Sequence, residues 1–277
     1  MNVAILGVSG RMGRALVAAL DEMPRAVLSG AAVSGGNQWD GKDVSECCGG
    51  ALRNVLMTAD PEKALQGAAV AIDFTLPAAT PANLKACAAM RCPVVIGTTG
   101  HDESGRAQIE RAAANIPVIL AANMSLGVNL LLQLAELAAR SLDDSYDIEI
   151  FEAHHRHKQD APSGTALALG RSVAHGRKVE LEEVAEYQRH GQPGARRAGA
   201  IGFSVFRGGD VVGDHTVSFA GIGERIELTH RASDRMTFAR GAVRAAQWLA
   251  GKPAGLYSMQ DVLGLSSSPK TGDGVMK

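Results

Sequence analysis

Between Glu152 and Ala166 the chain reads Glu-Ala-His-His-Arg-His-Lys-Gln-Asp-Ala-Pro-Ser-Gly-Thr-Ala, and five of the seven residues from Glu152 to Lys158 are cationic or titrate to a cation near neutral pH. A turn sequence, Asp160 to Gly164, follows at once, and an apolar helical pattern starts behind it. A solvated surface has no need of this arrangement, and a buried core cannot hold it without anionic partners. The stretch reads as a site for an anion with proton-transfer groups inside it. His154 and Lys158 are the candidates for the proton. Histidine exchanges protons near neutral pH, and a lysine crowded by His155, Arg156 and His157 gives up its proton more readily than an isolated one. The two lie four apart, which places them on one face if the segment is helical. In a loop that spacing decides nothing. Ser163, Gly164 and Thr165, at a helix start, offer backbone N–H groups and hydroxyls to a carboxylate. Together these features suit a small di-acid that receives a proton.

The competing reading, a basic loop that touches RNA, gains nothing from the rest of the chain. Net charge is −1 and aromatic residues make up 4% of the sequence, which leaves neither a global cationic field nor a stacking platform for bases. Nucleic acid and anionic membrane are therefore not expected as partners. The length of 277 residues, with 46% hydrophobic and 21% charged, is that of an ordinary globular protein with room for two domains. No apolar run approaches the roughly 20 residues of a membrane span. Cys47, Cys48, Cys87 and Cys92 form no CxxC pair and no zinc-type spacing with histidine, so free thiols and no metal are expected. The first residues enter a strand without a signal-peptide pattern. A cytoplasmic location is the expectation.

A site of this kind needs elements to position it, and the first half of the chain supplies candidates for these and for a redox partner. Residues 2–6 are an apolar run that reads as a buried parallel strand. Gly7-Val8-Ser9-Gly10-Arg11-Met12-Gly13 then opens a helix with Met12, Leu16 and Leu20 on one face. The spacing G-x-x-G-x-x-G is a variant of the dinucleotide fingerprint. The turn must be tight, and amides at the helix start must approach a pyrophosphate without Cβ atoms in the way. Arg11 adds positive charge there. A second strand, Val27–Val33, ends in Ser34-Gly35-Gly36 with no carboxylate for ribose hydroxyls, which leans toward NADPH or dual use, although no arginine stands there to hold a 2′-phosphate. Residues 37–52 read as a loop. Strands at 69–74, 93–96 and 118–121 alternate with helices at 78–90 and 103–115, the signature of a doubly wound parallel sheet. Their ends carry Phe74-Thr75, Gly97-Thr98-Thr99 and Ala121-Ala122-Asn123-Met124, placed to line a nicotinamide and its ribose. Each taken singly is equally an ordinary βα loop.

The pattern changes after Ser125. A long apolar helix is expected at 126–142, a half-buried strand at Tyr146–Phe151, a helix from Thr165 to about His175, and an irregular charged excursion at 176–198. Strands follow at 200–206, 211–219 and 223–230, with Arg207-Gly208-Gly209-Asp210 as a hairpin turn between the first two. This makes a second domain with an antiparallel or mixed sheet. A helix at 240–249 and a short apolar segment at 256–263 are expected to return to the first domain, and residues 266–277 to form a frayed tail.

The stretch from Glu152 to Ala166 closely resembles the signature of the dihydrodipicolinate (4-hydroxy-tetrahydrodipicolinate) reductases of bacterial lysine and diaminopimelate synthesis. Gly7-x-x-Gly10-Arg11-Met12-Gly13, Asp73-Phe74-Thr75, Gly97-Thr98-Thr99-Gly100, Ala121-Ala122-Asn123 and Arg235-Met236-Thr237-Phe238 stand in that family's order. The resemblance implies a Rossmann-like dinucleotide-binding domain of residues 1–125 and 236–277. It implies a substrate domain with a mixed sheet, residues 126–235, that builds a homotetramer. NADPH or NADH would reduce a cyclic dicarboxylate imine. His154 and Lys158 would be the proton-transfer pair, with Lys158 the donor. His155, Gly164 and Thr165 would hold the carboxylates, and Arg235 would support the site less directly. The coenzyme would meet residues 7–13, Ser34, Phe74, Gly97, Thr98, Thr99 and 121–124. Ser34 replaces the acidic residue of members that use NADH well, Gly35 an arginine found in several, Leu76 a residue that is sometimes basic, and Met124 a frequent phenylalanine. The alternative is another two-domain NAD(P)H-dependent imine or amino-acid dehydrogenase. A non-catalytic dinucleotide sensor would have no use for a proton donor.

Overall fold

A computed structural model describes residues 1–265, so the tail expected at 266–277 lies outside the described residues. The chain divides into two compact units, Met1–Leu126 together with the segment from Met236 onward, and Gly127–Arg235. The first unit opens with β1 (Asn2–Leu6), α1 (Arg11–Glu22) and β2 (Val27–Ala32), then α2 (Ser45–Cys48), β3 (Met57–Thr58) and α3 (Pro61–Ala64). It continues through β4 (Val70–Asp73), α4 (Thr80–Ala89), β5 (Val94–Ile96), α5 (Glu103–Ala113) and β6 (Pro117–Leu120). α6 (Leu126–Ser141) leads into the second unit, which contains β7 (Asp147–His154), α7 (Gly164–Arg177), α8 (Leu181–Val184), β8 (Ala185–Glu186), β9 (Ile201–Arg207), β10 (Gly213–Gly221) and β11 (Glu224–Ala232). The chain then returns with α9 (Met236–Leu249), β12 (Gly255–Tyr257) and α10 (Met259–Leu263).

The first unit is a seven-stranded parallel sheet in the order β12-β6-β5-β4-β1-β2-β3. Read from β3, the first six positions follow the Rossmann order, with the switch point between β1 and β4. β1 is apolar from Val3 to Leu6 because both faces of the sheet are covered, and Val3, Ala4 and Ile5 have no exposed surface. Each fully buried Ile or Leu of this core contributes roughly 1.5–3 kcal/mol. α1 packs its buried stripe of Leu16, Val17 and Leu20 beside the alanine-rich face of α9, where Ala239, Ala242, Val243 and Ala246 let the helices approach closely. The segment after residue 250 pairs as a parallel edge strand, β12 on β6, and α10 packs against α9.

Residues 37–52 hold more order than their polar composition suggests. The Asp43 carboxylate accepts backbone N–H bonds from Ser45, Arg53 and Val55, and these bonds, with the Ser45 hydroxyl first, hold its pKa down to about 2. That carboxylate folds the loop around itself and allows the single turn of α2. The four cysteines are free.

The second unit is a mixed sheet in the order β11-β10-β7-β9-β8. β7 sits centrally, antiparallel to β10 and parallel to β9, so β9 and β10 are not neighbours and Arg207–Asp210 is not a hairpin turn. The end of β7 competes successfully for this loop: the Gly208 N–H donates to the His154 carbonyl and the Arg156 N–H to the Gly209 carbonyl, and the chain crosses over β7 instead of folding back. The tight hairpin joins β10 to β11, in register from Gly213↔Ala232 to Gly221↔Glu224. The charged excursion after α7 contains α8 and β8. Arg189 and Arg196 tie it to Glu149 at 2.7 and 3.2 Å, and Arg196 also reaches Asp147 at 2.9 Å.

Candidate active site

The strand at 146–151 continues three residues further, and that extension builds the site. β7 alternates so that Ile148 and Ile150 face the core of its unit. Two more steps of the same period put Glu152 and His154 on that face, at 3% and 8% exposure. β10 does the same in antiparallel register: Phe219 lies opposite Ile148, Val217 opposite Ile150, and His215 opposite Glu152. β9 runs parallel and brings Arg207 alongside His154. An apolar strand pattern thus carries a carboxylate, two histidines and a guanidinium to one end of its own core.

The Glu152 carboxylate is the hub. It bonds His154 Nδ1, and its other oxygen accepts from Arg207 Nη2 at 2.8 Å and from the Ser163 N–H at 3.0 Å. Burial pushes this carboxyl upward, but the Arg207 and Ser163 hydrogen bonds outweigh it and the net pKa is lowered. Arg207 also donates to the Asp160 carbonyl at 2.6 Å, and the Asp160 carboxylate lies 2.9 Å from Lys158 Nζ. His154 and Lys158 are therefore joined through Glu152, Arg207 and Asp160. They do not share a helix face, since His154 ends a strand and Lys158 stands in the loop behind it. Beside the cations of its own loop, Lys158 thus has an anionic partner in Asp160.

Burial first, with Lys158 and Arg207 adding to it, lowers the His154 pKa against the opposing pull of Glu152, so the ring is neutral at physiological pH. His215 is pushed lower still, to about 4, by burial and by His154, whose ring it meets edge-on at 5.1 Å. His215 Nε2 lies 3.1 Å from Ser163 Oγ. Ser163 caps α7 by accepting from the Ala166 N–H, so its side chain serves the helix start. Gly164 is exposed at the first turn of that helix, and Thr165 is half-buried beside it. His155 lies outside the hub. Its Nε2 is 3.4 Å from Arg235 and its Nδ1 accepts from the His157 N–H.

In the first unit the expected coenzyme residues gather at the carboxyl ends of β1, β2, β4, β5 and β6. Gly7 takes φ +83°, and a methyl on Gly13 would collide with the Gly7 and Val8 carbonyls, so both glycines are needed for the turn. α1 starts with no side-chain cap and no acidic residue in its first turn, and Arg11 is exposed there. Val8 is buried and offers only its backbone, while Ser9, Gly10 and Met12 reach the surface. Asn37, which the sequence did not single out, bridges Ser9 Oγ and the exposed Ser34 Oγ at 3.4 Å each. Lys42 lies over the Trp39 ring. Buried Asp73 accepts from the Thr75 N–H, the Thr75 hydroxyl and the Asn83 amide, which fixes the turn at Phe74. Thr98 donates to the Thr75 carbonyl at 3.0 Å, the Phe74 ring lies against Gly97, and Thr99 is exposed. Ala121, Ala122 and Asn123 all reach the surface. Met124 does not: its side chain is 1% exposed and belongs to the core, so it forms no wall toward a ligand. An uncapped helix start behind a glycine turn, free of carboxylates, fits a pyrophosphate.

A Rossmann-type unit with such a cradle, followed by a unit carrying buried proton-exchanging groups beside a cationic loop, defines a dinucleotide-dependent oxidoreductase. Two family models match the chain: dihydrodipicolinate reductase N-terminus over residues 1–124, and dihydrodipicolinate reductase C-terminus over residues 127–263. The chain is 56% identical to a 4-hydroxy-tetrahydrodipicolinate reductase of Thiobacillus denitrificans, over 96% of this chain and 99% of that one. It is 55% identical to that of Alkalilimnicola ehrlichii, over 95% and 99%. In fold it resembles a dipicolinate-bound dihydrodipicolinate reductase from Paenisporosarcina sp. TG-14, with a TM-score of 0.75 at 24% identity, over 94% of this chain and 98% of that one. The chain belongs to the dihydrodipicolinate reductase family. It is an NAD(P)H-dependent reductase of lysine and diaminopimelate biosynthesis.

Among the described residues no helix is long and apolar enough to cross a membrane. Sequence reasoning named His154 and Lys158 but gave no task to Glu152, His215 or Arg207. The first two were within reach, because the alternation of β7 and β10 can be extended by two residues. Arg207 had no signal, since its place depends on β9 lying parallel to β7.

Proposed function

We propose that this chain reduces 4-hydroxy-tetrahydrodipicolinate to tetrahydrodipicolinate, with Lys158 as proton donor and His154 as its partner in proton transfer. The observation that carries the reading is the hydrogen-bonded chain from His154 through Glu152, Arg207 and Asp160 to Lys158. It holds two proton-exchanging groups beside a helix start that suits a carboxylate. Residues 7–13, Ser34, Phe74, Gly97, Thr98, Thr99 and the 121–123 turn would hold NAD(P)H, which would supply the hydride. The 4-hydroxyl and a C3 hydrogen leave as water to give the conjugated ring imine, hydride adds at C4, Lys158 Nζ gives the proton that C3 takes up as the ring C=N is restored, and neutral His154 is ready to take or return one. The α7 amides at Gly164 and Thr165, with His155, hold the substrate carboxylates. Ser163 serves this site through its capping of α7.

The residues 126–235 form the substrate-binding and tetramerisation domain in this reading, and residues 1–125 with 236–277 the dinucleotide domain. The outer face of the mixed sheet supports a homotetramer, since Phe151 and Phe206 stand 47% and 56% exposed there. A cytoplasmic location follows from free thiols and a reducing coenzyme. The test is oxidation of NADPH and of NADH by the purified protein with freshly made substrate. Turnover with either supports the assignment, and none with both would leave another imine or amino-acid dehydrogenase as the reading.

A further inference from the structure

Once His154 and Lys158 are given the proton, Glu152, Arg207 and His215 still lie buried or half-buried beside them with no stated task. We infer that Glu152 is a positioning residue for the reaction: its carboxylate fixes His154 through Nδ1 so that Nε2 carries the lone pair, and Arg207 locks that carboxylate and ties it to the loop of Lys158. The inference rests on the reading of His154 and Lys158 as the proton pair and gives that pair its scaffold.

The hydrogen-bond chemistry fixes the direction. An ionised carboxylate only accepts, so the proton between Glu152 and His154 sits on Nδ1. Burial keeps the ring neutral, which leaves Nε2 bare. A side chain on residue 213 would stand 3.1 Å from Nε2, and glycine there leaves that nitrogen uncovered. His215, edge-on at 5.1 Å, restricts rotation of the His154 ring. Glu152 cannot drift, because its partners come from three places: its own strand, the Ser163 turn and β9. Arg207 has a second anchor in the Asp160 carbonyl, and Asp160 holds Lys158.

Glu152, His154 and His215 also have ligand atoms within 4.8 Å of one another, a set that could hold a metal ion. The Glu152 charge is already matched by Arg207, and Lys158 adds positive charge nearby, so the surroundings disfavour a cation. The arrangement suits a wired imidazole, in which a carboxylate sets tautomer and orientation without itself exchanging the proton.

The first test needs no variant. Long-range ¹H–¹⁵N correlation of the histidine rings at pH 8 should show His154 as the Nδ1–H tautomer, and an Nε2–H tautomer would overturn the inference. The second is a double-mutant cycle on kcat, with coenzyme affinity measured alongside as a check on folding. Glu152→Gln should lower kcat about 100-fold with KM within about threefold. In a His154→Gln background the same change should cost no more than about threefold, because its effect passes through His154. Losses that multiply would mean a merely structural role and overturn the inference. If Glu152→Gln does not fold, Arg207→Met enters the same cycle with the same expectation. Full turnover by His154→Gln would sink the proton-pair reading and this inference with it. Collapse of His154→Gln with an unimpaired Glu152→Gln would sink this inference alone.

Discussion

Acidification should destabilise the second unit through His215, by an amount the structure lets one work out. The ring is 4% exposed on β10, holds Ser163 Oγ through Nε2 and leaves Nδ1 buried without a partner. His154, His230 and Lys158 oppose its protonation and Glu152 favours it, while burial dominates and sets the pKa near 4 against an ordinary 6.5. The unfolded chain therefore binds this proton first. Stability from His215 is complete above about pH 6.5, falls between there and about pH 4, and is constant below. A gap of about 2.5 pH units at about 1.36 kcal/mol per unit gives a loss of about 3 kcal/mol at its limit. The assay is urea unfolding of the wild type and of His215→Gln, which keeps a donor for Ser163, at steps from pH 7.5 to 4. Taking the difference between the proteins cancels the other titrating groups to first order. His154 and His230, also lowered by burial, act in the same direction in both, and Glu152 and Asp160 act only within the carboxylate range. Equal pH dependence in the two proteins would refute the reasoning.

Three further outcomes are expected. Ser34→Asp, at the exposed end of β2, places a carboxylate for ribose hydroxyls and against a 2′-phosphate. The ratio of kcat/KM for NADH over NADPH should rise at least about tenfold, and an unchanged ratio would show that the adenosine ribose lies elsewhere. Gly13→Ala drives a methyl into the Gly7 and Val8 carbonyls, so it should cost about 1–3 kcal/mol in unfolding experiments and weaken NADPH binding by fluorescence titration. Phe206→Asp puts a charge on the exposed face of the mixed sheet; on the proposed assembly, sedimentation velocity should show the wild type as a tetramer and the variant as smaller species, and a monomeric wild type would contradict that proposal.

The longer elements of the first unit were readable from sequence because apolar runs and glycine turns mark their boundaries, whereas the two-residue β3 and the one-turn α3 were too short to carry a pattern. The loop at 37–52 hid its order, because one carboxylate, Asp43, organises it through bonds to backbone amides that no pattern of side chains announces. The second unit was readable in its elements but not in its pairing. Arg207-Gly208-Gly209-Asp210 has the composition of a hairpin turn, and only the tertiary fold shows β7 lying between β9 and β10. The site followed the same division. His154 and Lys158 stood out by residue type. Glu152 and His215 lay on the strand alternation without a task assigned to them, and Arg207 came into view only when strand register laid it beside His154. Met124 sits at a strand end where a ligand wall is reasonable, yet its side chain turns into the core.

The central claim is that Lys158 delivers the proton that accompanies reduction. Single-turnover reduction by Lys158→Ala, with NADPH affinity measured separately by fluorescence, tests it most directly. The reduction rate should fall by about 10²–10⁴ while coenzyme affinity stays within about twofold, since the glycine turn lies in the other unit. A rate within about threefold of wild type at saturating substrate would contradict the claim and move the proton to another group.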